Sequence, residues 1–118
     1  MNYSIRETPF KNKVKGWLES KGAWYIKYWA GAKFTKEGIP DILACIDGVF
    51  CGIELKATNG HPTLLQLVNL KKIREAGGIG VLLYPNDLED FASFVSGSDD
   101  EWYQGNIEKQ RRWFEKLS

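Results

Sequence analysis

Apolar side chains along the 118-residue chain follow two rhythms, one helical and one alternating. From Phe10, the positions Val14, Trp17 and Leu18 fall at i+4, i+7 and i+8, a single helical stripe. Thr8-Pro9 offers an N-cap followed by proline at the first helical position, so this helix is predicted to open at Thr8 and stop at Gly22. Residues 23–29 are aromatic-rich and read as a first strand, followed by a loop over 30–39. Two more strands are predicted over 41–46 and 49–57, joined by Asp47-Gly48, a strong hairpin signal. A second helix spans 63–76 and stops at Gly77-Gly78. The apolar run 79–84 reads as a buried strand, 87–95 as a short helix and 96–100 as a polar loop. Residues 106–117 form a last helix, with Ile107, Trp113, Phe114 and Leu117 as its predicted buried side. The order α-β-β-β-α-β-α-α predicts an α/β fold, a mixed sheet flanked by helices.

Length and composition fit one soluble globular domain: 43% of residues are hydrophobic and 26% charged. No stretch is apolar enough to span a bilayer, and the first ten residues lack the apolar core of a signal peptide. A cytoplasmic protein with no membrane partner is expected. The net charge of +1 conceals an uneven distribution. Residues 1–36 carry +6, whereas residues 80–105 carry six acids and no Lys or Arg. A basic first third suits an anionic ligand, although solvated helix faces produce the same pattern. Cys45 and Cys51 are too few for a disulfide framework and read as small core residues in a reducing compartment.

The hairpin carries the chemistry. With a two-residue turn at Asp47-Gly48, Ile46 opposes Val49, and Asp41 then stands opposite Glu54. Lys56 follows two residues later on the same face. The alternate face pairs Ile42 with Ile53 and Ala44 with Cys51, wholly apolar, which holds the register. Two carboxylates and an amine therefore meet at the open, solvent-facing end of a hairpin. Paired carboxylates resist joint ionisation unless a cation lies between them. Mg²⁺ suits one or two carboxylates with its remaining positions left for water and phosphate. A lysine there could position or deprotonate a water, or offset charge in the transition state. The plainer reading is a rim salt bridge between Lys56 and Asp41 or Glu54.

Pro40-Asp41, thirteen residues, then Glu54-Leu55-Lys56 resembles the PD-(D/E)xK nuclease motif. Gly38-Ile39-Pro40-Asp41-Ile42-Leu43, Ile53-Glu54-Leu55-Lys56-Ala57, Thr63-x-x-Gln66 and Ala76-Gly77-Gly78 look like its VRR-NUC branch, whose small stand-alone members are typical of phages. The resemblance covers about residues 7–84 and leaves 86–118 as a C-terminal helical extension. It implies a restriction-endonuclease-like αβββαβ core and a Mg²⁺- or Mn²⁺-dependent DNA endonuclease. The metal would be held by Asp41, Glu54 and the Leu55 backbone carbonyl, with Lys56 catalytic. It further implies an acidic metal ligand on the first helix. Glu7, at the expected helix start, is preferred to Glu19, although Glu7 there also complements the helix dipole. By likeness to Holliday-junction resolvases, it implies branched or junction DNA, a role in repair or recombination, and a bacterial or phage-infected host cell. Cutting two strands symmetrically calls for a homodimer.

The remaining candidate positions are ambiguous. Thr63 and Gln66 form a capping box, while the resemblance also places Gln66 near the active site. His61, the only histidine, could touch a phosphate or be a plain loop residue; with no cysteine pair nearby it is no zinc site. Lys33 and Lys36, on the loop leading to Asp41, are DNA-contact candidates, with Phe34 as a possible wedge. By alternation, most aromatics of residues 23–29 are expected in the core. A non-catalytic DNA-binding domain on the same fold and an RNA-directed binding protein are the alternatives; the intact Asp41, Glu54 and Lys56 set favours the enzyme.

Overall fold

Asp47 and Gly48 adopt φ of 51° and 84°, the paired positive values that a two-residue hairpin turn requires. That turn joins β2 (Ile42–Ile46) to β3 (Val49–Leu55) in the predicted register, Ile42 opposite Ile53 and Ala44 opposite Cys51. The structure is a computed structural model, which describes the backbone of residues 2–27 and 37–118 and the side chains of 9–27 and 37–118. Lys33, Phe34 and Lys36 lie outside the described residues, as does the side chain of Glu7.

Among the described residues the sheet has four strands in the order β1-β2-β3-β4. β1 (Trp24–Lys27) runs antiparallel to β2, and β4 (Ile79–Leu83) runs parallel to β3. The parallel pair needs a crossover, supplied by α2 (Leu64–Glu75). One sheet face presents Ile42, Ala44, Ile46, Cys51, Ile53, Leu55, Val81 and Leu83. Phe10, Val14 and Leu18 of α1 (Asn2–Ser20) cover it, together with Phe91 of α3 (Leu88–Val95). The opposite face carries Gly52, Glu54, Gly80 and Leu82, with α2 packed over β3 and β4.

Several expectations are corrected. α1 begins at Asn2, with Pro9 inside it. Proline forfeits one hydrogen bond and disfavours helix just before it, but does not forbid it. The predicted stripe is nonetheless buried at Phe10, Val14 and Leu18. Cys45 is exposed, because the helix on its face covers the other half of the sheet. Trp24 and Ile26 share that uncovered face and are 67% and 45% exposed, not core.

The last helix, α4 (Asp100–Leu117), starts six residues before the predicted position. Its first turn is fixed by Asp99, whose carboxylate accepts the Trp102 N–H at 2.9 Å. Its buried side chains are Asn106 and Gln110, while Ile107, Trp113 and Phe114 are half-buried and Leu117 is exposed. The reason is the free edge of β4, whose backbone groups need partners. Asn106 accepts the Leu82 N–H at 3.1 Å and donates to the Leu82 carbonyl at 2.7 Å. Gln110 donates to the Gly80 carbonyl at 3.1 Å. Side-chain amides thus stand where a fifth strand would. Asn106→Leu leaves both Leu82 groups unpaired in the interior and should cost about 3 kcal/mol, a fall of roughly 10 °C in melting temperature. Thermal denaturation of the variant checks this; an unchanged midpoint would mean that the edge is satisfied another way.

Candidate active site

Asp41 is set in place by the loop before it. Gly38 has φ of 77°, and a side chain there would meet the backbone of Leu65 at 2.7 Å. The buried amide of Asn69 donates to the Glu37 carbonyl at 3.0 Å and to the Leu65 carbonyl at 3.1 Å. Pro40 is fully buried against the α2 side of the sheet. The loop is thereby pinned to the first turns of α2. Asp41 then accepts the Leu55 N–H through Oδ2 at 2.9 Å, which locks the carboxylate across the hairpin from Glu54.

Glu54 is only 1% exposed. The expectation of two solvent-facing carboxylates is corrected here: Glu54 shares its face with Gly52 and Gly80, the face that α2 covers. Its Oε2 lies 3.4 Å from Lys56 Nζ, and its Oε1 has no hydrogen-bond partner among the described residues. Burial, then the neighbouring Asp41 carboxylate, pushes the Glu54 carboxyl up from 4.5 to about 8, against the opposing pull of Lys56. At neutral pH without a cation Glu54 is therefore mostly protonated, and Lys56 faces a neutral acid rather than a full ion pair. Lys56 itself follows β3 directly, its N–H donating to the Leu83 carbonyl at 2.9 Å, and its side chain is 17% exposed.

The donor set fits a hard divalent cation. A buried carboxylate oxygen without a partner is costly, and Glu54 Oε1 is one. Asp41 keeps one oxygen beyond the Leu55 bond. The Leu55 N–H faces Asp41, and in an extended strand the carbonyl leaves on the same side as the N–H. All three donors are oxygens, as Mg²⁺ and Mn²⁺ prefer. No group of three His, Cys, Asp or Glu side chains gathers among the described residues, which contribute two carboxylates, Asp41 and Glu54, beside the Leu55 carbonyl.

The remaining candidates lie as follows. Glu7 is in α1, not ahead of it. Glu19 accepts a hydrogen bond from the Tyr25 hydroxyl at 2.8 Å. Gln66 closes the capping box, its Oε1 accepting the Thr63 N–H at 2.8 Å and its own N–H reaching Thr63 Oγ1 at 3.2 Å. This uses the Gln66 carbonyl oxygen and leaves its amide nitrogen for other partners. His61 is exposed and packs against Trp113, ring centroids 4.4 Å apart and the planes inclined at 41°. Two features escaped the sequence reading: Asn69, the anchor of the Asp41 loop, and the face of α4 that meets His61. The second had a legible signal, since Lys109, Arg112, Trp113 and Lys116 recur at i, i+3, i+4 and i+7.

No protein-family model matches the sequence, and no curated protein does. Among solved structures, a VRR_NUC domain superposes with a TM-score of 0.62 at 22% identity, over 75% of this chain and 95% of that one. A Holliday junction resolvase, Hjc of Archaeoglobus fulgidus, superposes with a TM-score of 0.48 at 24% identity, over 67% of this chain and 69% of that one. Strand order, hairpin register and the first of these superpositions agree on one conclusion: the chain has the restriction-endonuclease-like α/β fold of a VRR_NUC domain.

Proposed function

We propose that this chain is a divalent-metal-dependent deoxyribonuclease that hydrolyses phosphodiester bonds in branched or junction DNA. The observation that carries the reading is the buried Glu54 carboxyl, one oxygen unpartnered and the other 3.4 Å from Lys56, across from an Asp41 already held by the Leu55 N–H. A carboxyl that is buried and pushed up to about 8 favours a cation site over a plain surface ion pair. Asp41, Glu54 and the Leu55 carbonyl would hold Mg²⁺ or Mn²⁺, with Glu7 as a further ligand. The bound ion would supply Lewis-acid polarisation of the phosphate and a more acidic water. Lys56 orients that water or offsets the charge that grows on the phosphoryl oxygens. Gln66, tied to Thr63 at the start of α2, would use its amide nitrogen at the active site. Lys33, Lys36 and His61 contact phosphates. The choice of junction DNA rests on the resemblance of the sequence motif to Holliday-junction resolvases, and symmetric cutting calls for a homodimer.

The test is incubation with duplex, flap, single-stranded and four-way-junction DNA, with Mn²⁺ and with EDTA. Metal-dependent cleavage concentrated on branched substrates is expected. Absence of cleavage on all of them would remove the enzymatic reading.

Lys56→Met should separate chemistry from metal binding. The ammonium is a neighbour of the metal site and not a ligand, so its loss should leave Mn²⁺ affinity unchanged or slightly higher. Cleavage should fall about a hundredfold, within the usual range for a positioned charge or proton-transfer group. Calorimetry beside single-turnover cleavage reads both quantities. Loss of Mn²⁺ binding together with activity would instead make Lys56 a strut between the carboxylates.

A further inference from the structure

We propose that the C-terminal half of α4 is a phosphate-binding rail that holds a duplex arm of the DNA beside the active site, an inference that rests on the nuclease reading above. Lys109, Arg112 and Lys116 occupy one stripe of the helix with Trp113 among them and no acidic residue. The acids of this half-helix make their ion pairs with Arg111, and Glu108 also feels the charge of Arg112. Glu108 and Glu115 both pair with Arg111, Glu115 at 2.6 Å, on the adjoining stripe. The two stripes are thus distinct, one holding Arg111 between two acids and the other carrying three cations. A merely solvated helix would interleave the signs.

The rail is physically continuous with the candidate site. Lys109 Nζ lies 4.1 Å from the centre of the Tyr84 ring, and the Tyr84 hydroxyl donates to the Gly60 carbonyl at 2.9 Å. Gly60 approaches the Lys56 side chain so closely that a Cβ there would sit 3.5 Å from Lys56 Cβ. Its neighbour His61 packs against Trp113, and Lys116 Nζ lies 4.8 Å from the Trp113 ring centre. One path of contacts runs from Lys56 through the 57–61 loop to Lys109 and Lys116, the two ends of the cationic stripe. These contacts place the Lys109 and Lys116 ammonium groups over aromatic rings, which fixes where the two charges lie.

Length favours a nucleic-acid backbone over a small anion. Lys109 and Lys116 are seven residues apart, about 10.5 Å along the helix. A DNA strand places a phosphate about every 3.4 Å of duplex axis, so this distance presents about three charges to three cations. A free phosphate or nucleotide could engage at most one end of such a rail.

The experiment titrates fluorescently labelled four-way-junction DNA in EDTA over a series of salt concentrations, with Mn²⁺-dependent cleavage by the wild type measured in parallel. Three proteins are compared with wild type: Lys109→Gln/Arg112→Gln/Lys116→Gln, the charge-keeping Lys109→Arg/Arg112→Lys/Lys116→Arg, and Lys21→Gln. Lys21 pairs with Asp47 at 3.7 Å at the opposite, hairpin-turn end of the sheet. The neutral triple variant should bind at least about tenfold more weakly at low salt. The slope of log K against log salt should shrink by about 2–3, as expected for three lost phosphate contacts. The charge-keeping variant and Lys21→Gln should match wild type. An unchanged slope in the neutral variant, with wild-type cleavage present, would overturn the rail and leave the nuclease reading standing. So would weaker binding with the slope intact, because the lost contacts would not be ionic. A wild type that neither binds nor cuts junction DNA would overturn both.

Discussion

Glu54→Gln should lower metal-dependent DNA cleavage by about a thousandfold or more while leaving the fold in place. Fold and chemistry separate here because of the state of the buried acid. With its carboxyl pushed to about 8, Glu54 is largely neutral at pH 7 in the absence of a cation, and glutamine replaces it with a neutral group of the same shape. The cost arises only when a charged oxygen is needed to hold a divalent ion. Loss of a Lewis acid worth about 4 kcal/mol of barrier corresponds to a factor of about a thousand in rate. Asp41→Asn should act similarly, since an amide oxygen can still accept the Leu55 N–H while the anionic ligand is lost. Single-turnover cleavage with Mn²⁺, beside circular dichroism of each variant, measures both sides. A folded Glu54→Gln protein that cuts at the wild-type rate would show that the metal, if any, is bound elsewhere.

The hairpin could be read from the chain because its constraints are local and redundant. Asp47-Gly48 selects the turn, the turn selects the register, and the apolar Ile42, Ile53, Ala44 and Cys51 exclude a slip by one residue. The opposition of Asp41 and Glu54 follows from these, and so does the place of Lys56. What could not be read depends on contacts distant in sequence. Alternation put Glu54 on the face opposite the main core, but not under a helix. That required knowing that α2 lies over β3 and β4, leaving Trp24 and Cys45 uncovered on the other half of the same face. The fixing of the Asp41 loop by Asn69 spans 32 residues, from Asn69 to the Glu37 carbonyl. α4 was mis-started for a related reason. Its polar buried residues, Asn106 and Gln110, match a sheet edge rather than an apolar core, so hydrophobic periodicity picked out the wrong side. The cationic stripe beside it is invisible to apolar periodicity and shows only in the spacing of Lys109, Arg112 and Lys116.

The buried acid also dictates how metal-free stability varies with pH. In the folded protein the Glu54 carboxyl is raised to about 8, above its ordinary 4.5. Below pH 4.5 both folded and unfolded chains hold the proton, and the Glu54 contribution to stability is fully present. Between pH 4.5 and 8 the unfolded chain releases the proton while the folded one keeps it. The native state then binds more protons, so stability falls as pH rises, and the fall levels off above about 8. At 1.36 kcal/mol per unit, the full excursion is on the order of 5 kcal/mol, a large share of the stability of a small domain. Urea denaturation in EDTA across this pH range should therefore show a steep decline for wild type and a nearly flat profile for Glu54→Gln. Asp41→Asn should give an intermediate slope, because removing the adjacent carboxylate eases ionisation of Glu54 without relieving its burial. Mn²⁺ should reverse the trend at high pH, since a cation favours the ionised acid. Parallel profiles for wild type and Glu54→Gln in EDTA would mean that Glu54 ionises normally in the folded protein. Burial would then not be what prepares this site for a cation, and the site would be an ordinary surface carboxylate pair.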